Sequence, residues 1–174
     1  MRIVRLRKIC IYLGTFAITL LASVALTFAR SIYANRQGVF ISAASSGNLT
    51  VMRGLEILGV DVKAPACKYR NCTLPLVAAA WNGQRDAVIF LMARGADVND
   101  GGRFDETPLM MASYSGKPEV VKLLLANGAD INLTNSDGET ALYFAKLGKQ
   151  PSAIRLLREA GAKEPSTQPC GLSE

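Results

Sequence analysis

The chain contains no histidine. That absence removes the Ser-His-Asp and Cys-His nucleophile arrangements and every histidine-based metal site. Acidic residues are missing from the first 36 positions, where Arg2, Arg5, Arg7, Lys8, Arg30 and Arg36 are the only charged side chains. Those six account for the whole net charge of +6, because residues 37–174 hold 14 Lys and Arg against 14 Asp and Glu. A neutral body lacks the basic field that phosphate binding requires, so nucleic acid is not expected as a partner. Tryptophan occurs once, at Trp81, and cysteine four times, at Cys10, Cys67, Cys72 and Cys170. No group of acids and hydroxyls has a catalytic spacing. The expectation is a protein without enzymatic activity, cofactor, metal or small-molecule substrate.

What the N-terminus does have is a long uncharged run. Residues 9–29, ICIYLGTFAITLLASVALTFA, carry no ionisable acid or base of the Asp, Glu, Lys or Arg type. As a helix they span about 31 Å, matching a hydrocarbon core of about 30 Å. Four basic residues precede the run within residues 1–8, and Arg30 and Arg36 follow it. This asymmetry predicts a cytoplasmic N-terminus with the remainder of the chain on the far side of the membrane. Two outcomes share the pattern: a retained signal anchor, or a signal peptide that is removed to leave a periplasmic or secreted protein. The run exceeds the about 7–15 residues usual for a cleavable core, which favours the anchor. Ser23-Val24-Ala25 and Thr27-Phe28-Ala29 supply the small residues of a cleavage site and favour removal. Thr15, Thr19, Ser23 and Thr27 line one face of the predicted helix, either packing against another helix or bonding their own i−4 carbonyls.

Downstream the sequence is periodic. GADVN at 95–99 returns as GADIN at 128–132, with weaker copies GVDVK at 59–63 and GAKE at 161–164. Gly59, Gly95, Gly128 and Gly161 are spaced 36, 33 and 33 residues apart, and each follows an apolar run suited to a helix closed by a left-handed glycine. TPLMMASYSG at 107–116 corresponds to TLPLVAAAWNG at 73–83 and TALYFAKLGK at 140–149. Thr107-Pro108 and Thr140-Ala141 suit an N-cap and first helical position, whereas Leu74 takes the cap place before Pro75. Pro118 and Pro151, also 33 apart, each open a second helix. Proline and glycine recurring in phase predict repeated helix pairs rather than one long helix.

These residues resemble the ankyrin-repeat family, whose unit of about 33 residues carries a T-P-L-H-x-A core. The resemblance covers residues 38–164 and implies an all-α solenoid of four helix-turn-helix units, at 38–63, 64–99, 100–132 and 133–164. Ahead of it lie a basic flank (1–8), the predicted transmembrane helix (9–29) and a linker (30–37); behind it is a polar tail (165–174). One departure is uniform. The family's histidine is replaced by Ile41, Val77, Met110 and Tyr143, so its hydrogen bonds are expected to be missing. Glu56 and Arg158 stand in the terminal copies where Met92 and Leu125 stand in the inner ones, a polar capping pattern.

The resemblance implies binding of a protein partner through the turn tips and the exposed face of the first helices. On this chain the first-helix positions are Ser45 and Ser46, Trp81 and Asn82, Tyr114 and Ser115, and Leu147 and Gly148, with Trp81, Asn82, Tyr114 and Ser115 and the tip residues Arg103 and Phe104 as the expected contacts. Trp81 and Tyr114 hold the same place in successive repeats, so they stack as paired anchors on the concave side or, alternatively, Trp81 fills an interhelical groove. The interval between the first two repeats is three residues longer than the others, and the extra length coincides with Cys67 and Cys72. In an exported domain the spacing suggests a disulfide; a metal site would need two further ligands nearby.

Overall fold

The computed structural model describes residues 36–68 and 71–163. The predicted basic flank and transmembrane helix, the tail and the cysteines at 10 and 170 lie outside the described residues. Among the described residues no helix is long and apolar enough to cross a membrane.

The fold is all-α with one addition. Among the described residues eight α-helices alternate in two rows: α1 (36–46), α2 (Leu49–Ile57), α3 (Pro75–Asn82), α4 (Arg85–Ala93), α5 (Pro108–Tyr114), α6 (Pro118–Ala126), α7 (Ala141–Leu147) and α8 (Pro151–Glu159). The addition is an antiparallel hairpin, β1 (Ala66–Lys68) with β2 (Asn71–Thr73), and it occupies the longer interval between the first two repeats. Arg36 and Gln37, at the end of the linker read from the sequence, are already helical.

In the first row α5 packs between α3 and α7; in the second, α4 and α6 lie in series between α2 and α8. The first-row helices carry Ala79, Ala112 and Ala145, each 33 residues apart and each wholly buried. Their small side chains let neighbouring helices approach closely. The second row buries Leu91, Leu124 and Leu157 at its own common position, again without exposure. Burying each such leucine is worth roughly 1.5–3 kcal/mol, but only when the next repeat covers it.

Two left-handed turns close every repeat. Gly47, Gly83, Gly116 and Lys149 end the first helices, and Gly59, Gly95, Gly128 and Gly161 follow the second, all with positive φ. Lys149, at φ 53°, is the one member of that set with a side chain. The GADxN segments have a double use. Asp97 and Asp130 each accept from the backbone two residues on, at 2.9 Å, which shapes the turn locally. Asn99 then bonds forward, accepting from the Asp130 N–H at 2.8 Å, and Asn132 likewise accepts from Lys163 at 3.0 Å. The first copy has Lys63 where the others have asparagine. Gln37 of α1 donates to the Asp61 and Ala64 carbonyls of that turn.

The loss of histidine has a different consequence from the one expected. The Met110 thioether accepts from the Thr107 N–H at 3.4 Å while the Thr107 hydroxyl accepts from the Met110 N–H, completing a reciprocal cap. A soft sulfur acceptor thus does at this turn what no apolar side chain could. Thr140 caps α7 from its side chain, and Leu74 caps α3 without one, leaving Pro75 to fix the helix start. Glu56, expected only as a polar end cap, also ties the first repeat to the second through an ion pair with Arg94 at 2.5 Å, and Arg94 lies over the Phe90 ring at 3.6 Å.

The turn geometry yields a paired expectation. Lys149→Gly should stabilise the chain by roughly 1 kcal/mol, because a side chain in the left-handed region is strained. Gly83→Ala should destabilise it by about 1–2 kcal/mol for the same reason; its Cβ would also meet the Lys117 side chain at 2.7 Å. Urea unfolding midpoints of the two variants should therefore move in opposite directions.

Candidate functional site

The ends of the first-row helices carry a run of aromatic rings. Trp81, on the last turn of α3, is 43% exposed, and Tyr114, on the last turn of α5, is half-buried. Their centroids stand 5.3 Å apart with 28° between planes, an offset stack across two repeats. Phe144 meets Tyr114 at 6.4 Å between centroids, and Tyr143 meets Phe144 at 6.0 Å, both near perpendicular. Phe144 is buried and so serves as the footing of the stack. Leu147 continues the 33-residue line after Trp81 and Tyr114 and is 56% exposed. Three repeats therefore present one apolar strip along the end of the first row.

Gly148 explains how the strip stays close. A Cβ at that position would overlap the Tyr114 carbonyl. The C-terminus of α7 thus rests directly on the backbone that carries the stacked ring.

The remaining predicted residues take two places. Asn82 is exposed beside Trp81, and its amide donates back to the Ala78 carbonyl at 2.9 Å. Ser115 is half-buried beside Tyr114 and donates to the Met111 carbonyl at 2.8 Å. Both close their own helices and leave the rings as the protruding groups. Arg103 and Phe104 lie apart, in a short 3-10 turn (Arg103–Asp105) at the tip before α5; only the backbone of Arg103 is described. Phe104 has φ 59° and is 53% exposed, and Asp105 also has a positive φ. Two consecutive residues with side chains in this region cost of order 1–3 kcal/mol each. The neighbouring tip holds them: the Ser136 N–H donates to the Phe104 carbonyl at 3.0 Å, and the Ser136 hydroxyl donates to the Asp105 carboxylate at 2.5 Å. The tip formed by Ser136, Asp137 and Glu139 is partly structural, since buried Asn135 bonds Glu139 and Ser136 braces the adjacent turn.

Phe144 was missed from the sequence, and Leu147 was given the Trp81 position without being singled out as a contact. Leu147 shares the Trp81 and Tyr114 phase, and that phase was the signal available for it. Phe144 stands three residues earlier on the same helix, where a period of 3.6 marks it as core, so only the contact itself shows its part in the stack. Among the described residues, no group of three or more His, Cys, Asp or Glu stands close enough to hold a metal ion.

The model for ankyrin repeats (three copies) matches residues 76–168, more than half of the chain. The chain belongs to the ankyrin-repeat family. No curated protein matches it. Ankyrin repeats are protein–protein interaction modules, generally without catalysis, and the helix pair α1–α2 adds a fourth unit ahead of the three matched. In this ankyrin array the strip and the tip are formed by different parts of the same repeats, first-helix ends on one hand and turns on the other.

One ionisable group is perturbed beside the strip. Partial burial raises the Tyr143 phenol above its ordinary 10.0, helped by its hydrogen bond to the Glu139 carboxylate and by that carboxylate's charge. A raised phenol pKa means that the folded chain holds its proton longer than the unfolded one. The associated stability is complete below pH 10 and is lost as pH rises through the folded value. Tyr143→Phe should therefore lose less stability than the parent between neutral pH and pH 11, as read from thermal midpoints across the alkaline range. Parallel curves for the two proteins would refute the assignment.

Proposed function

We propose that the ankyrin array is a non-catalytic binding module displayed on the extracytoplasmic face of a membrane by residues 9–29, where it captures a protein partner. The observation that carries the binding reading is the stacked pair Trp81 and Tyr114, continued by Leu147, half open to solvent at one phase of three repeats. Rings held rigid by Phe144 lose little conformational entropy on contact, and tryptophan and tyrosine dominate interface energies. Phe104 supplies a second apolar contact from the tip. The display reading rests on the uncharged run and its basic N-terminal flank. Confinement to a membrane raises the effective concentration of the array toward partners on the same surface.

Removal of the N-terminal segment would instead yield a soluble periplasmic or secreted binder, an inhibitor or immunity-like protein with the same strip. The small residues around Ala25 and Ala29 support that alternative, and the mass of the mature protein separates the two. A C-terminal reporter active only outside the cytoplasm should be active in either case.

Photo-crosslinkers placed at 81 and at 114 in the full chain should capture the same protein, while one at Lys122 in α6 should not. Trp81→Ala should then weaken that complex by about 30-fold or more, the effect of losing roughly 2 kcal/mol at an anchor, with helical content unchanged. Capture from Lys122 alone, or unaltered affinity in the variant, would overturn the reading.

A further inference from the structure

Two of the chain's four cysteines fall in the single interval that breaks the 33-residue phase. In the hairpin there, Cys67 is directly opposite Cys72, flanked by the pairs Ala66–Thr73 and Lys68–Asn71. Opposed residues of antiparallel strands have Cα atoms about 4.5 or about 5.5 Å apart, depending on whether the pair is hydrogen-bonded. Disulfides span Cα separations of about 4.4–6.8 Å. Both pair types fall within that range, so the backbone register alone brings the two residues to bonding distance.

The register is also held from outside the hairpin. Two three-residue strands are at best marginally stable by themselves. Here β2 leads, through Leu74, into buried Pro75 at the start of α3, and it packs against the turn Arg103–Asp105. The hairpin is thus a neighbour of the tip that carries Phe104.

We propose that Cys67 and Cys72 form a disulfide site, and that the bond fixes the hairpin against the Phe104 tip as a rigid edge of the binding surface. Formation rests on the proposed export of the repeats, since cytosolic thiols are kept reduced. The oxidant is a disulfide-bonded donor, either an oxidised dithiol protein or an oxidised small thiol. One cysteine thiolate attacks a donor sulfur, giving a mixed disulfide and expelling the other donor sulfur as thiolate. The second cysteine thiolate then attacks the chain's own sulfur in that mixed bond and releases the remaining donor thiolate. The chain loses two electrons and two protons, and the donor leaves as two thiols.

The purified full chain provides the test. It is equilibrated in buffers of varied oxidised-to-reduced glutathione ratio, its free thiols are alkylated, and it is digested without reduction. Lys68 and Arg70 lie between the cysteines, so trypsin cuts the loop, and the peptides of Cys67 and Cys72 remain joined only if the bond exists. The control combines Cys72→Ser with Thr73→Cys, moving the second cysteine one place along the strand and hence to its opposite face. The parent should give joined peptides at a glutathione ratio at least tenfold less oxidising than the control requires. Alkylation of both residues throughout, pairing of Cys67 with Cys10 or Cys170, or equal oxidation of the control would overturn the site. The same digest on cells alkylated at lysis addresses export separately: free thiols there, with joined peptides in buffer, would refute the exported location and leave the site intact.

Discussion

No helical hairpin in this chain can bury both of its faces by itself, and everything else in the structure follows from how that constraint is met. A pair such as α5–α6 has neighbours on both sides, since α5 packs against α3 and α7 and α6 against α4 and α8, and its apolar residues are buried in that setting. Stacking demands that successive copies match in length, in helix start and in turn geometry. The spacing of 33 residues between buried alanines, buried leucines and left-handed closures is the signature of that match. It also fixes the apolar strip. Residues 81, 114 and 147 form a line because the repeats beneath them are in phase.

Cross-repeat polar contacts then set the spacing at the edges, where apolar packing is thinner. The asparagines at 99 and 132 bond forward into the next turn, Asp105 meets Ser136, and Arg94 meets Glu56. These pairs lie near the surface, so each is worth little individually. Their value is geometric, since each one orients a turn that has no core of its own. The first interval departs from the pattern: Lys63 replaces the asparagine, Gln37 of α1 holds the Asp61 turn, and the extra residues fold into a hairpin.

Much of this was legible in the residues. Thr107, Thr140, Pro75, Pro118 and Pro151 mark helix starts, and the recurrent glycines mark their ends, because caps and left-handed turns depend on a residue's own chemistry and its few neighbours. The Trp81–Tyr114 stack was legible for a related reason, as equal phase in a stacked array means adjacency in space. What the sequence withheld depends on contacts between distant residues. The extra three residues at the first interval were visible, but not that they pair as strands. A methionine at the histidine position reads as apolar filling, and its sulfur becomes a cap acceptor only when the Thr107 N–H is aimed at it. Phe144 reads as core, and its second role under Tyr114 is set by the crossing of α5 and α7. The strain at Phe104 and Asp105 is invisible locally, since Ser136 of the next repeat holds it.

The central claim is that in-phase stacking leaves the strip's leading ring part-open to solvent while its partner supports it from one side. Trp81 is the sole tryptophan, so its fluorescence reads this directly in the intact chain. The account predicts emission that acrylamide quenches in the native protein, with the quenching constant rising when Tyr114→Ala removes the ring stacked on one face. Emission that is blue-shifted, insensitive to quencher and unchanged by Tyr114→Ala would place Trp81 in a closed interior and contradict the account.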